Sequence, residues 1–294
     1  ALLCGGKVQG IEIAAIHAYR YPAGTDSSNF PRIRRTYEGR EPDAPWRKAA
    51  LERIEKHRKS DFSIQVLDAE GKPLAGEKIH LKLQRHKFGF GSAVTVEHLT
   101  ADTEDGRCYR EIVDRYFSQV VFENDFKDFG WEKGASGKEE HLKRLGQAMD
   151  WLSERQISIR GHYLMQVATP PNLAGVSDPE DIRRHFIDTT RERIAFAKDK
   201  VCEWDVINHP VAWNGADLLI RRPGLGKLDR EIYKLAEQLS QLPFYVNEDQ
   251  IFRPGRQSDE TFDYIRQLKG EGFRVDGLGN QAHIDESYLP DPGH

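Results

Sequence analysis

From Phe88 onward the sequence keeps one rhythm, and that rhythm most limits the folds open to the chain: a short apolar run, then an amphipathic helix, repeated. The runs are FGFGSAV (88–94), SQVVFEN (118–124), ISIRGHYLM (157–165), VCEWDVIN (201–208), PFYVNED (243–249) and RVDGLGNQAHI (274–284). Between them apolar residues recur at helical spacing: Tyr109, Ile112, Val113 and Tyr116; Leu142, Leu145, Met149 and Leu152; Ile232, Leu235, Ala236 and Leu239. Helix starts are expected at Asp178 with Pro179 and at Ser258 with Asp259 and Glu260. Buried strands alternating with helices predict a parallel α/β protein. An open doubly wound sheet and a barrel share this pattern, and the strand ends separate them. An open sheet gathers its site at one or two switch points, whereas a barrel draws chemistry from the C-terminal ends of many strands. Here polar side chains mark five consecutive runs. Glu123, Asn124 and Lys127 follow the second, Arg160 and His162 lie in the third, and Asn208 and His209 close the fourth. Asn247, Glu248 and Asp249 close the fifth, and Gln281 and His283 the sixth. FGFGSA has neither the third glycine nor the helix of a dinucleotide-binding loop. The expectation is an α/β fold of the (β/α)₈ TIM-barrel type. Six βα units are found where closure needs eight, so the barrel is expected to be incomplete in this chain, its C-terminal units missing.

The region before the barrel reads differently. VQGIEIAAIHAYRY (8–21) reads as a strand with no partner before it. A lone strand is not stable, so it belongs to a preceding module or packs on a later part of the chain. Residues 22–45 carry Pro22, Gly24, Pro31, Gly39, Pro42 and Pro45 and read as a linker. Trp46 to Lys59 has helical spacing through Leu51 and Ile54. Residues 62–84 read as a β-hairpin, FSIQVLD and KIHLKLQ joined by AEGKPLAGE.

Composition removes several classes of function. A chain of 294 residues, 38% hydrophobic, is enough for one large core. Its net charge is −4 and it has no long basic run, so no nucleic-acid partner is expected. Arg32, Arg34 and Arg35 sit among prolines and glycines and read as a solvated linker. No apolar run approaches the roughly 20 residues of a membrane span. Cys4, Cys108 and Cys202 are odd in number and far apart, so neither a disulfide framework nor a zinc motif is implied. The opening ALLCGG is not a signal peptide and reads as a segment cut from something longer.

Several ordered motifs make residues 46–294 resemble glycoside hydrolase family 10, the endo-β-1,4-xylanases. FENDFK (122–127) resembles the strand-2 Glu-Asn-x-x-Lys that lines the glycone subsites, and IRGHYL (159–164) the Arg-Gly-His-x-Leu motif. WDVIN (204–208) resembles Trp-Asp-Val-Val-Asn, which the catalytic acid/base Glu normally follows. FYVNEDQ (244–250) and VDGLGNQAH (275–283) resemble the strand-5 and strand-6 motifs. The resemblance implies retaining hydrolysis of xylan or xylo-oligosaccharide, no cofactor, and an extracellular or periplasmic location. It implies substrate contacts from Glu123, Asn124, Lys127, His162, Asn208, Gln281 and His283, with His209 at the acid/base position. It also implies that residues 1–22 are the remnant of a carbohydrate-binding β-sandwich, 23–45 a linker, and 46–294 the barrel. Three departures stand out. His209 replaces the acid/base Glu. Gln166 and Val167 replace a Trp-His pair that contacts the sugar. The strand-7 nucleophile is not found, so the chain as given is expected to show no turnover.

Retaining glycosidases use two carboxylates about 5–5.5 Å apart, one as acid/base and one as nucleophile. Imidazole can also carry a proton near neutral pH, giving it to a leaving oxygen and taking it back from water. Its reach and shape differ from those of a carboxylate, and the rival reading is therefore a non-catalytic xylan-binding pseudoenzyme in which His209 only hydrogen-bonds. Glu123, Asn124 and Lys127 offer the acceptors and donors that sugar hydroxyls need, or form a plain Glu–Lys pair at a barrel rim. His162 and His283 are either ligand contacts or satisfied structural histidines. With His209 they raise a three-histidine metal site, which no H-x-H pair or bridging carboxylate supports, so no metal is expected. Trp131, Trp204 and Trp213 are candidates to stack on sugars; Trp204 reads as core and Trp213 as the better platform.

Overall fold

The computed structural model describes residues 22–26, 39–83, 87–131, 135–211 and 218–283. Six strands form one sheet: β1 (Gly91–Val94), β2 (Gln119–Phe122), β3 (Ser158–Gln166), β4 (Val201–Asn208), β5 (Phe244–Glu248) and β6 (Gly277–Asn280). They lie in chain order, and each neighbouring pair is parallel. Parallel neighbours need a crossover, and each has a helix. The helices are α1 (Pro45–Arg58), α2 (Val96–Thr100), α3 (Glu104–Tyr116), α4 (Asp128–Trp131), α5 (Ala135–Glu154), α6 (Pro179–Ala197), α7 (Leu228–Leu239) and α8 (Arg256–Gly270). The main crossovers after β1 to β5 are α3, α5, α6, α7 and α8. The sequence rhythm thus becomes consecutive βα units, as a barrel requires.

The core lies between sheet and helices. Val120, Phe122, Ile159, Trp204, Val206, Phe244 and Val246 meet Leu145, Met149, Leu152, Phe186, Ile232, Tyr233, Ala236 and Leu268. Asp178 caps α6 by accepting from the Glu180 amide at 2.9 Å, with Pro179 in the first turn. α8 starts two residues before the expected Ser258, which is buried inside it. The α3 stripe is only half used: Val113 is buried, but Ile112 and Tyr116 are 53% and 60% exposed.

One buried ion pair ties the loop after β2 to the third crossover. Arg193 of α6 donates to Asp128 Oδ1 at 2.7 Å and to the Leu164 carbonyl at 2.9 Å; both charged side chains are fully buried. The Arg193 guanidinium also lies over the Trp131 ring, 5.6 Å from its centroid.

The hairpin expected over 62–84 is corrected. Its tip forms, with the Asp68 amide on the Lys72 carbonyl (2.9 Å), the Leu74 amide on the Val66 carbonyl (2.8 Å) and one antiparallel bridge between Leu67 and Pro73. The arms do not pair as strands among the described residues, and Phe62, Ile64, Ile79, Leu81 and Leu83 stay exposed. α1 forms as expected but buries none of its residues, including Leu51 and Ile54. The strand read at 8–21, the basic stretch at 32–35 and Trp213 lie outside the described residues.

Candidate active site at the strand ends

Register decides which side chains meet. His162 pairs with Asp205 between β3 and β4, and Asp205 with Tyr245 between β4 and β5. An irregularity then lets β4 gain one residue on β5 between Asp205 and Ile207, so Asn208 pairs with Asn247. Such a bulge re-aims the strand.

The resulting charge cluster is compact. Arg160 donates through Nε to Asp205 Oδ2 (3.1 Å) and through Nη1 to Glu203 Oε1 (2.6 Å). Its Nη2 lies 2.5 Å from Asp205 Oδ1. His162 Nδ1 sits 2.8 Å from Asp205 Oδ2, and Gln119 Nε2 donates to Glu203 Oε1 at 3.0 Å. Burial raises the Asp205 carboxyl, but the hydrogen bond from His162 and the Arg160 charge outweigh it and hold it below the usual carboxylate range. An acceptor-only Asp205 therefore fixes the proton of His162 on Nδ1.

A second network joins β4, β5 and the segment after β6. Asn208 Oδ1 accepts from Asn247 Nδ2 (2.8 Å) and Gln281 Nε2 (3.2 Å). His209 leaves β4 in the left-handed region, with φ of 53°. That conformation is uncommon outside glycine and concentrates at functional sites. Its Nδ1 lies 2.8 Å from Glu248 Oε1, and its Nε2 lies 3.1 Å from Gln281 Nε2. Glu248 is fully buried and also accepts from the amides of Asp249 (3.0 Å) and Val211 (3.1 Å). Burial pushes its carboxyl up, and these donors, His209 first, bring it below its ordinary value.

A cavity of about 650 Å³ runs in front of both networks, lined by Glu123, Lys127, Arg160, His162, Asp205, Asn247, Gln281 and His283 among others. Burial, only partly offset by the Glu123 charge, lowers the Lys127 ammonium from its usual value. Of the sequence candidates, Glu123, Lys127, His162, Gln281 and His283 thus line one cavity. Asn124 is exposed on the turn after β2 and does not line it. Asn208 and His209 stand behind Gln281, with His209 11% exposed. Trp131 is not a sugar platform: it is buried against Phe126, with its indole N–H on Glu192. Trp204 is core, as read.

The three histidines do not gather. His162 is held by Asp205, and the Gln281 amide stands between His209 and His283, whose Nε2 lies 3.1 Å from Gln281 Oε1. His209, Glu248 and Asp249 bring ligand-type atoms within 4.8 Å of one another. Two of those atoms share a proton at 2.8 Å, and the Glu248 oxygens hold main-chain amides, so this set is a hydrogen-bonded knot rather than an open donor set.

Glu203 and Asp205 are not among the candidate site residues read from the sequence, and Glu248 appears there only as a polar residue closing the fifth run. Two acidic residues two apart in an otherwise apolar strand face one side, and that was the available signal for Glu203 and Asp205.

The profile described as Glycosyl hydrolase family 10 matches residues 80–292. The chain belongs to this family. It is 26% identical over 251 residues to the anti-sigma-I factor RsgI6 of Acetivibrio thermocellus, covering 82% of this chain and 30% of that protein. It is 25% identical over 251 residues to endo-1,4-beta-xylanase 4 of Arabidopsis thaliana, covering 81% and 42%. The chain therefore spans less than half the length of either relative. Family-10 architecture is also seen in the crystal structure of native xylanase 10B from Thermotoga maritima, which superposes with a TM-score of 0.57 at 21% identity over 68% of this chain and 62% of that one. The six parallel strands are thus an incomplete (β/α)₈ barrel of the family-10 kind. Among the described residues no helix is long and apolar enough to cross a membrane.

Proposed function

We propose that the full-length protein is a retaining endo-β-1,4-xylanase acting on xylan outside the cytoplasm, and that this chain supplies the sugar-binding side of its cleft. The observation that carries this reading is the cavity at the strand ends. Glu123, Lys127, His162, Asn247, Gln281 and His283 offer mixed donors and acceptors there, the pattern a row of sugar hydroxyls requires. Asn124 and Asn208 belong to the same proposed contact set, the first at the rim and the second behind Gln281. His209 stands at the acid/base position. The nucleophilic carboxylate of the retaining pair is assigned to residues outside those described.

A second reading, xylan binding without turnover, is favoured by one observation: both ring nitrogens of His209 are engaged, one by Glu248 and one by Gln281. The two readings separate in one pair of measurements on the full-length protein. Calorimetry with xylohexaose measures binding, and release of reducing ends from xylan measures turnover. Slow hydrolysis that His209→Glu raises by about 10²–10⁴-fold, the usual worth of general acid–base help, supports the hydrolase. Tight binding with no release in either protein supports the binding module. No binding to xylohexaose defeats both.

A further inference from the structure

The last three strands each leave the sheet through a left-handed residue that is not glycine. His209 follows β4 with φ of 53°, Gln250 follows β5 with φ of 52°, and Ala282 follows β6 with φ of 53°. At a residue with a Cβ such backbone is disfavoured about tenfold or more, and it persists only where its surroundings enforce it. Glycine takes it freely, along with many other conformations. Ala282 has no polar side chain with which to hold its own turn. Asn280, the last residue of β6, holds it: Asn280 Oδ1 accepts from the Ala282 amide at 2.9 Å. Asparagine closes turns in this way, side chain to main chain two residues on.

Gln281 and His283 flank the turn, and both line the cavity. Gln281 is anchored to the sheet, its amide on the Glu248 carbonyl at 3.0 Å and its Nε2 donating to Asn208 Oδ1 at 3.2 Å. His283 is exposed, with Nε2 3.1 Å from Gln281 Oε1. The main chain at Ala282 therefore sets where His283 stands relative to Gln281. An extended residue 282 would place the His283 Cα roughly 7 Å beyond that of Gln281 along the strand, and the left-handed one turns it back. We infer that Asn280 is a positioning residue for sugar binding: its carboxamide locks the turn at Ala282 and presents Gln281 and His283 to the ligand as a preformed pair. A pair ordered in advance spares the ligand the cost of ordering it. The inference rests on the proposed function, in which Gln281 and His283 meet a xylan chain. Asn280 itself borders the cavity, so direct contact with the sugar is its rival role.

Glycine at position 282 separates the two roles, because it adopts the turn without the lock. In the full-length protein, Asn280→Ala is expected to weaken xylohexaose binding by about tenfold in calorimetry, the population lost when the left-handed residue is no longer enforced. Combining it with Ala282→Gly is expected to bring the affinity back to within about threefold of Ala282→Gly alone. Hydrogen exchange resolved to single residues reads the turn without any sugar. The Ala282 amide is expected to exchange about fivefold faster in Asn280→Ala, the worth of one hydrogen bond, and to stay protected in Asn280→Asp, whose carboxylate also accepts. Unchanged affinity in Asn280→Ala, unchanged exchange at Ala282, or a double variant as weak as Asn280→Ala overturns the inference. The last of these results would make Asn280 a sugar contact in its own right. While the unaltered protein binds xylohexaose, each of them leaves the xylan reading standing and removes this inference alone. If the unaltered protein does not bind, both fall.

Discussion

Lys127 and Asp205 show how single side chains set the chemistry of the cleft, and each makes a measurable prediction. Lys127 is half-buried at the cavity wall and its ammonium is lowered by that burial. Sugar hydroxyls give it the solvation it lacks. Lys127→Ala is expected to weaken xylohexaose binding by about 1.5–3 kcal/mol, the worth of a hydrogen bond to a charged group. Unchanged calorimetry would remove it from the site. Asp205 holds Arg160 and His162 together, and its carboxyl lies below the ordinary 3.8. A depressed carboxyl stabilises the fold above its unfolded value and loses that contribution as pH falls through the folded one. Asp205→Asn is therefore expected to cost roughly 3–5 kcal/mol at neutral pH, because it leaves buried partners uncompensated. The gap between the two proteins in urea should narrow below about pH 4. A gap independent of pH would mean that the carboxylate charge plays no part.

Among the elements, β3 and β4 are joined most tightly, and Gly161 is the reason they can be. A Cβ at Gly161 would lie 2.3 Å from Cε3 of the buried Trp204 ring on its register partner. The close approach keeps His162 opposite Asp205 and packs Trp204 edge-on to Phe126, ring centres 5.8 Å apart. Gly161→Ala is expected to destabilise the protein by about 1–3 kcal/mol through overpacking, and to weaken sugar binding although residue 161 touches no sugar. A thermal melt matching the unaltered protein would show that Trp204 can shift without cost. The clamp of Arg193 on Asp128 works at the same level: it fixes α4 against β3 and α6, and so the turn that carries Lys127.

The whole molecule divides by packing. From Val94 to Val275 the βα units share one apolar cluster, whereas α1 buries none of its residues and the 62–83 segment leaves Phe62, Ile64, Leu67, Leu74, Ile79, Leu81 and Leu83 exposed. Segments with few buried contacts open first and are cut first. Limited trypsin digestion is expected to cleave between Lys56 and Lys82 and to spare the helices of the barrel. Mass spectrometry finding first cuts in α5, α6 or α7 would contradict this division.

The sequence by itself determined the units, their parallel order and the end of the sheet that carries chemistry. Those come from local quantities: hydrophobic period, helix caps, and polar residues where an apolar run stops. β4 was legible residue for residue, because Val201–Asn208 is continuous and bounded by Pro210. Only the tertiary structure decided the partners within the site. Glu203 and Asp205 meet Arg160 across more than forty residues of chain, and Glu248 meets His209 across thirty-nine. The bulge that brings Asn208 opposite Asn247 depends on the pairing of two strands rather than on either strand. The hairpin closes only at its tip for the converse reason. Its alternation was a sound local signal, but among the described residues no further strand or helix buries its apolar face, and a two-stranded ribbon alone is marginal.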